Sequence, residues 1–160
     1  MANKRRKARE AALQILYMND IGKPKGLAQA IHRYWEHDWV IESDCHLCPE
    51  ECKDRGKPKS RFSSPVNRLA EIQFTEQLVN GVIEQREQID HEIEKRSHHW
   101  KLNRMSFIDR NILRIALFEM LSCDEIPPNV SINEAIEIAK TYGDKNSAAF
   151  INGILDQIEK

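Results

Sequence analysis

Residues 131–156 read SINEAIEIAKTYGDKNSAAFINGILD, and these residues decide the fold class. Ser131 and Glu134 have the spacing of a capping box, in which each side chain satisfies an orphan N–H at a helix start. Ile132, Ala135, Ile136 and Ala139 then recur at helical spacing and predict one buried face. Gly143 follows Tyr142 where a left-handed helix stop is expected. Ser147 is placed to cap a further helix, whose apolar stripe runs Ile151, Ile154, Leu155 and Ile158. Local chemistry alone predicts helix, loop, helix.

The rest of the chain extends this reading. Its 160 residues suit one domain with a substantial core. No apolar run approaches the ~18 residues of a membrane span, and no apolar stretch of signal-peptide type follows the basic start. Pro24, Pro49, Pro58, Pro65 and the Pro127-Pro128 pair punctuate otherwise helical text. No alternating β pattern and no internal repeat is present. An all-α cytoplasmic domain is expected, with helices near 4–21, 25–40, 66–96, 106–122, 131–142 and 147–159 and a short turn near 98–104. Leu13, Leu16, Leu78, Val82, Ile112, Ile115, Ala116, Ile136 and Ile154 are expected in the core.

Net charge is only −1, but it is polarised. Residues 1–10 carry Lys4, Arg5, Arg6, Lys7 and Arg9 against Glu10 alone, a local balance of +4, so the other 150 residues carry −5. Such an end attracts phosphate. On a helix Arg5 and Arg9 share a face, while Ala8, Ala12, Ile15 and Ile21 contribute to an apolar one. The alternatives are a solvated basic tail or, for the KRRK run alone, a nuclear-import signal. The attached amphipathic helix favours RNA, since a tail needs no apolar face. Neutralising about four phosphates on a single strand gives a salt slope near −0.7 per phosphate, so binding weakens roughly 50-fold from 50 to 200 mM salt. Base readout additionally needs aromatic faces and amides, which Tyr142, Asn146, Phe150 and Asn152 can supply beside Lys145.

The wording of 131–156 resembles the C-terminal signature of the NusB antitermination family: INEA, then AK, an aromatic-Gly pair, Ser, and F-[VI]-N-G-[VI]-L-D. Further blocks agree, in order. Arg5 to Glu10 followed by Ala12 to Tyr17 is similar to the family's arginine-rich first helix. Leu78 to Val82 with Ile89-Asp90 resembles its middle helix, and Trp100 to Met105, Ile108 to Arg110 and Ile112 to Glu119 its central helix and lead-in. The resemblance covers roughly residues 3–22 and 74–156. It implies a single-domain bundle of about seven helices in two subbundles, with the first helix and the C-terminal helices on one RNA-facing side.

It also implies function. Family members bind the boxA element of ribosomal-RNA leaders together with the small-subunit ribosomal protein NusE, on the elongating RNA polymerase. By this resemblance Arg5, Arg6 and Arg9 contact phosphate, Tyr142, Asn146 and Phe150 face bases, and Trp100 and Lys101 border the surface. Tyr17 and Asp109 match protein-partner positions. Local readings of the same two are a half-buried core Tyr and a helix N-terminal acid, the latter capped by Ser106. Asn146 stands where relatives often have an acid and Ala149 where many have Lys, with opposing effects on affinity. Some relatives form homodimers.

Residues 43–64 fall outside the resemblance. Cys45, Cys48 and Cys52 lie within eight residues, and a C-x2-C pair can aim two thiolates at zinc. Zinc needs four ligands; His46, His37 or Cys123 are candidates for the fourth, and no second C-x2-C pair exists. The other readings are a polar insertion with fortuitous cysteines, or a disulfide, which a reducing compartment disfavours.

No catalytic pattern emerges, and the chain is not expected to be an enzyme. Its glycines, at 22, 26, 56, 81, 143 and 153, are scattered rather than gathered in a phosphate-cradling loop. His98 and His99 are adjacent, so on a helix they point about 100° apart. Two other functions fit the pattern: an RNA-holding domain like that at the front of certain ribosomal-RNA methyltransferases, and a helical adaptor that binds only protein.

Overall fold

Apolar residues occupy nearly every position from Ile112 to Phe118, a pattern that predicts a helix buried on all sides. A computed structural model, which describes residues 2–22, 26–32, 34–35, 65–97 and 101–158, places this run at the centre of an all-α fold. The described helices are α1 (Ala2–Gly22), α2 (27–32 with 34–35), α3 (Pro65–Glu84), α4 (Arg86–Arg96), α5 (Phe107–Ser122), α6 (Pro128–Tyr142) and α7 (Ser147–Leu155). A 3-10 turn, Leu102–Arg104, leads into α5. No strand occurs among the described residues.

Helix α1 packs on α3 to make one subbundle, α5 packs with α4, α6 and α7 to make the other, and α1 and α3 both close onto α5. Leu13, Ile15, Leu16, Leu78, Val79, Val82, Ile112, Leu117, Ile151, Ile154 and Leu155 fill the shared core. Two expectations shift here. Ile136 is only partly buried, its place inside taken by Ile138. Ile21, expected on the apolar face of α1, is 56% exposed at the end of the helix.

Gly81 makes the contact between α3 and α5 possible. A Cβ there would lie 2.1 Å from the Phe118 ring, so only glycine lets that ring lie against the α3 backbone. The helix expected over 66–96 is broken at Gln85, which separates α3 from α4. Before α5, the Asp109 N–H donates to Ser106 Oγ at 3.0 Å, so the expected cap forms.

The start of α6 differs from the sequence reading. Pro127 is its N-cap and Pro128 its first residue, where a fixed φ suits the helix and the missing N–H costs nothing. Ser131 and Glu134 therefore sit inside the helix and make no capping box. Gly143 ends α6 with φ −85° and ψ −177°, extended rather than left-handed. Glycine is needed there for space, because a Cβ would lie 2.5 Å from Ser147 Cβ and 2.7 Å from the Ala139 carbonyl oxygen. Before α7, Asp144 N–H donates to Ser147 Oγ at 2.9 Å and Asn146 N–H to Asp144 Oδ1 at 2.7 Å.

The segment 43–64 with Cys45, Cys48 and Cys52, the residues His37, His98, His99 and Trp100, and residues 25, 33 and 36–40 of the helix expected over 25–40 lie outside the described residues. Cys123 is described. It is buried, Gln77 donates an amide hydrogen to its Sγ at 3.6 Å, and burial pushes its thiol up to about 11. That environment suits a core thiol rather than a zinc ligand.

Candidate nucleic-acid interface

The three arginines of α1 leave the helix in different directions. Arg9 turns inward. Its Nε and Nη2 donate to Glu119 Oε1 and Oε2 at 2.6 and 3.0 Å, and its Nη1 lies 3.5 Å from Glu134 Oε2. The two side chains of the first pair are 3% and 0% exposed. Ser131 Oγ also donates to Glu119, at 2.6 Å. The expectation that Arg9 meets phosphate is corrected: its fork is occupied and water does not reach it.

Arg6 stays at the surface. Its Nε and Nη2 donate to Glu134 Oε2 and Oε1 at 2.9 and 2.7 Å, and its side chain remains 37% exposed. The Glu134 hydrogen bond, outweighing the cost of burial, raises the Arg6 pKa and keeps it charged. Arg5 is exposed and lies over the Phe74 ring, 5.4 Å from its centroid, while Arg9 lies 5.6 Å from the same centroid. A guanidinium stacked on a ring keeps its in-plane donors directed outward.

Along α1, Arg6, Glu10 and Gln14 recur every fourth residue and so share one stripe. Gln14 Nε2 donates to Tyr142 Oη at 3.4 Å, so this stripe reaches from the middle to the end of α6. Burial raises the Glu10 carboxyl against the opposing charge of Arg6, with Glu134 adding to the rise. Burial and then the Glu10 charge raise the Tyr142 hydroxyl. Tyr142 and Phe150 are half-buried, each with part of its ring packed on the core. Asn146 and Lys145 are exposed in the turn between α6 and α7. Asn152 Nδ2 donates to Asp156 Oδ2 at 3.2 Å, and Lys101 is exposed just before the 3-10 turn. The structure thus joins the cationic helix to the aromatic turn through Arg6–Glu134 and Gln14–Tyr142.

A second surface lies at the other end of α1. The Tyr17 and Phe107 rings meet in a T-shaped pair, 6.3 Å between centroids and 88° between planes, and Arg110 lies 4.8 Å from the Phe107 centroid. Tyr17, Met18, Ile21 and Phe107 are all exposed. Sequence reading found Tyr17 and missed the other three; the apolar residues at 17, 18 and 21 beside Phe107 carried the only signal. Asp109, expected beside Tyr17 at a partner surface, is buried, and its Oδ1 has no hydrogen-bond partner among the described residues. Beneath lies a charge cluster that periodicity does not reveal. Buried Asp20 accepts from Arg86 Nη2 at 3.0 Å, Asn111 Nδ2 at 3.1 Å, Arg114 Nη1 at 3.2 Å and Arg110 Nη2 at 3.4 Å. Arg114 in turn forks Asp90, at 2.7 and 2.8 Å.

No group of three or more potential metal ligands occurs among the described residues. No helix among them is long and apolar enough to cross a membrane.

Comparison with known proteins agrees with this architecture. The transcription antitermination protein NusB of Desulfosudis oleivorans is 40% identical over 156 residues, which span 98% of this chain and 85% of that protein. The protein of the same name from Bacillus cereus is 40% identical over 156 residues, 98% of this chain and 97% of its own length. The structure of T. maritima NusB matches with a TM-score of 0.70 at 30% identity, covering 96% of this chain and 89% of that one. A crystal structure of antitermination factors NusB and NusE in complex with dsRNA shares the fold, with a TM-score of 0.73 at 21% identity over 99% of this chain and 97% of that one. The profile of the NusB family matches residues 6–160, and the chain belongs to that family.

Proposed function

We propose that this protein is a transcription antitermination factor, which binds boxA-type RNA together with NusE and keeps RNA polymerase processive through ribosomal-RNA genes. The observation that carries this reading is the seam between α1 and α6, which sets exposed Arg5 and Arg6 on a helix tied to the Tyr142–Phe150 turn. Arg5 and Arg6 contact phosphate. Tyr142, Asn146, Phe150 and Asn152 face bases, with Trp100 and Lys101 at the border. Tyr17 and Phe107 meet NusE, with the buried Asp109 behind them. Residues 1–160 act as one RNA-binding unit in the cytoplasm, with no catalytic step.

The test is binding of a short boxA-like RNA and a scrambled control, with and without NusE, at 50 and 200 mM salt. The expected result is preference for boxA that strengthens with NusE and weakens with salt. Equal, weak binding to both RNAs, unchanged by NusE, would replace this function with that of a basic-tailed protein adaptor.

The cysteine segment acts as a polar insertion that holds no metal. Protein purified without chelator is expected to contain no zinc by elemental analysis. Stoichiometric zinc that disappears in Cys45→Ser/Cys48→Ser would reverse this and make Cys45, Cys48 and Cys52 its ligands.

A further inference from the structure

A guanidinium has two forks, and it is their different use that separates Arg6 from Arg9. The side-on fork consists of Nε–H and the nearer Nη2–H; the end-on fork consists of Nη1–H and the outer Nη2–H. In Arg9 the side-on fork holds Glu119, Nη1 faces Glu134, and the group is buried. In Arg6 only the side-on fork is engaged, both bonds going to the one carboxylate of Glu134. Its end-on fork makes no hydrogen bond among the described residues and belongs to a side chain more than a third exposed. Glu134 itself is buried inside α6 and also faces Arg9, whose Nη1 lies 3.5 Å from its Oε2.

We propose that Glu134 is a positioning residue for RNA binding: it clamps the side-on fork of Arg6 so that the end-on fork is presented, already oriented, to an RNA phosphate. The inference rests on the RNA-binding function proposed above. A free arginine must be ordered on binding, and a held one has lost that freedom in advance. A bidentate phosphate contact also needs a planar donor pair, which a point charge does not provide.

Two effects of Glu134 on RNA oppose each other, and the sign of a mutation tells them apart. As a plain negative charge beside Arg6, Glu134 would repel phosphate. Glu134→Gln would then tighten RNA binding and steepen the salt slope by about 0.7. As a clamp, its loss weakens binding on the order of tenfold, the scale of one charge-assisted hydrogen bond.

The experiment measures boxA-like RNA affinity for the full chain and for Glu134→Gln, Arg6→Ala, the double variant and Arg6→Lys, with unfolding followed in parallel. We expect Glu134→Gln and Arg6→Ala each to weaken binding about tenfold, and the double variant to bind no worse than Arg6→Ala alone. Arg6→Lys, which keeps the charge and leaves Glu134 with Arg9, should lose as much as Arg6→Ala. If Glu134→Gln does not fold, Arg6→Lys decides by itself. Tighter binding by Glu134→Gln, additive losses in the double variant, or wild-type affinity in Arg6→Lys would each overturn the clamp. Wild-type protein that does not prefer boxA would instead remove the parent function, and the clamp with it.

Discussion

Arg9 and Glu119 meet in two parallel hydrogen bonds of 2.6 and 3.0 Å inside the protein, joining α1 to α5 with almost no contact with water. Replacing such a pair by apolar groups can be neutral, but removing one partner strands a buried charge and costs about 3–5 kcal/mol. Arg9→Ala should therefore lower stability by that amount in urea unfolding. Arg9→Lys should recover little, because an ammonium cannot reproduce the fork. A loss below about 1 kcal/mol for Arg9→Ala would mean that Glu119 is satisfied without it.

Gly81→Ala places a methyl group into the Phe118 ring. Overpacking of this kind costs roughly 1–3 kcal/mol. The expected readout is a lower urea midpoint with an unchanged slope, partly restored by adding Phe118→Leu. A midpoint equal to wild type would show that α3 and α5 separate freely.

Asp20 makes stability depend on acid. Burial alone would raise its carboxyl, but the Asn111 amide and the charges of Arg114, Arg86 and Arg110 outweigh burial and hold it below its ordinary value of 3.8. A depressed carboxyl stabilises the fold fully above the unfolded-state value, and that contribution disappears as pH falls through the lower folded one. Asp20→Asn should thus be roughly 2–3 kcal/mol less stable than wild type at pH 7. The gap should hold to about pH 5 and narrow below about pH 4. Parallel stability curves down to pH 3 would refute the assignment.

Tyr17 and Phe107 are exposed, and their edge-to-face contact is at the surface. Tyr17→Ser and Phe107→Ser should change stability by only about 0.5–1 kcal/mol. Both should abolish the strengthening of RNA binding by NusE while leaving binding to RNA alone intact. Retained strengthening in both variants would move NusE to another face.

Short-range chemistry is legible in the chain and long-range chemistry is not. The Ser106 cap and the spacing of Ile112, Ile115 and Ala116 depend on neighbours within one or two turns, and the residues themselves announce each of them. Ser131 and Glu134 show the limit. Their spacing matches a local capping box, yet one serves Glu119 and the other Arg6, 128 residues away. Gly143 is expected for its backbone freedom and is needed for its lack of a Cβ, a difference only packing reveals. Nothing local marks the break at Gln85, since Glu84 and Arg86 are good helix formers. At the candidate site, residue identity points to the cationic helix and the aromatic turn. Which arginine faces outward is decided by Glu119 and Glu134, far along the chain.

That separation has a consequence for synthesis. Arg9 and Arg6 leave the ribosome 110 and 128 residues before the acids that hold them. At roughly 5–20 residues per second, Arg6 waits about 6–25 s for Glu134 to be made. During that interval the nascent α1 is a basic segment with general attraction for any polyanion. A chain cut short before α6 would keep that attraction but lack Glu134, and with it the fixed orientation of Arg6.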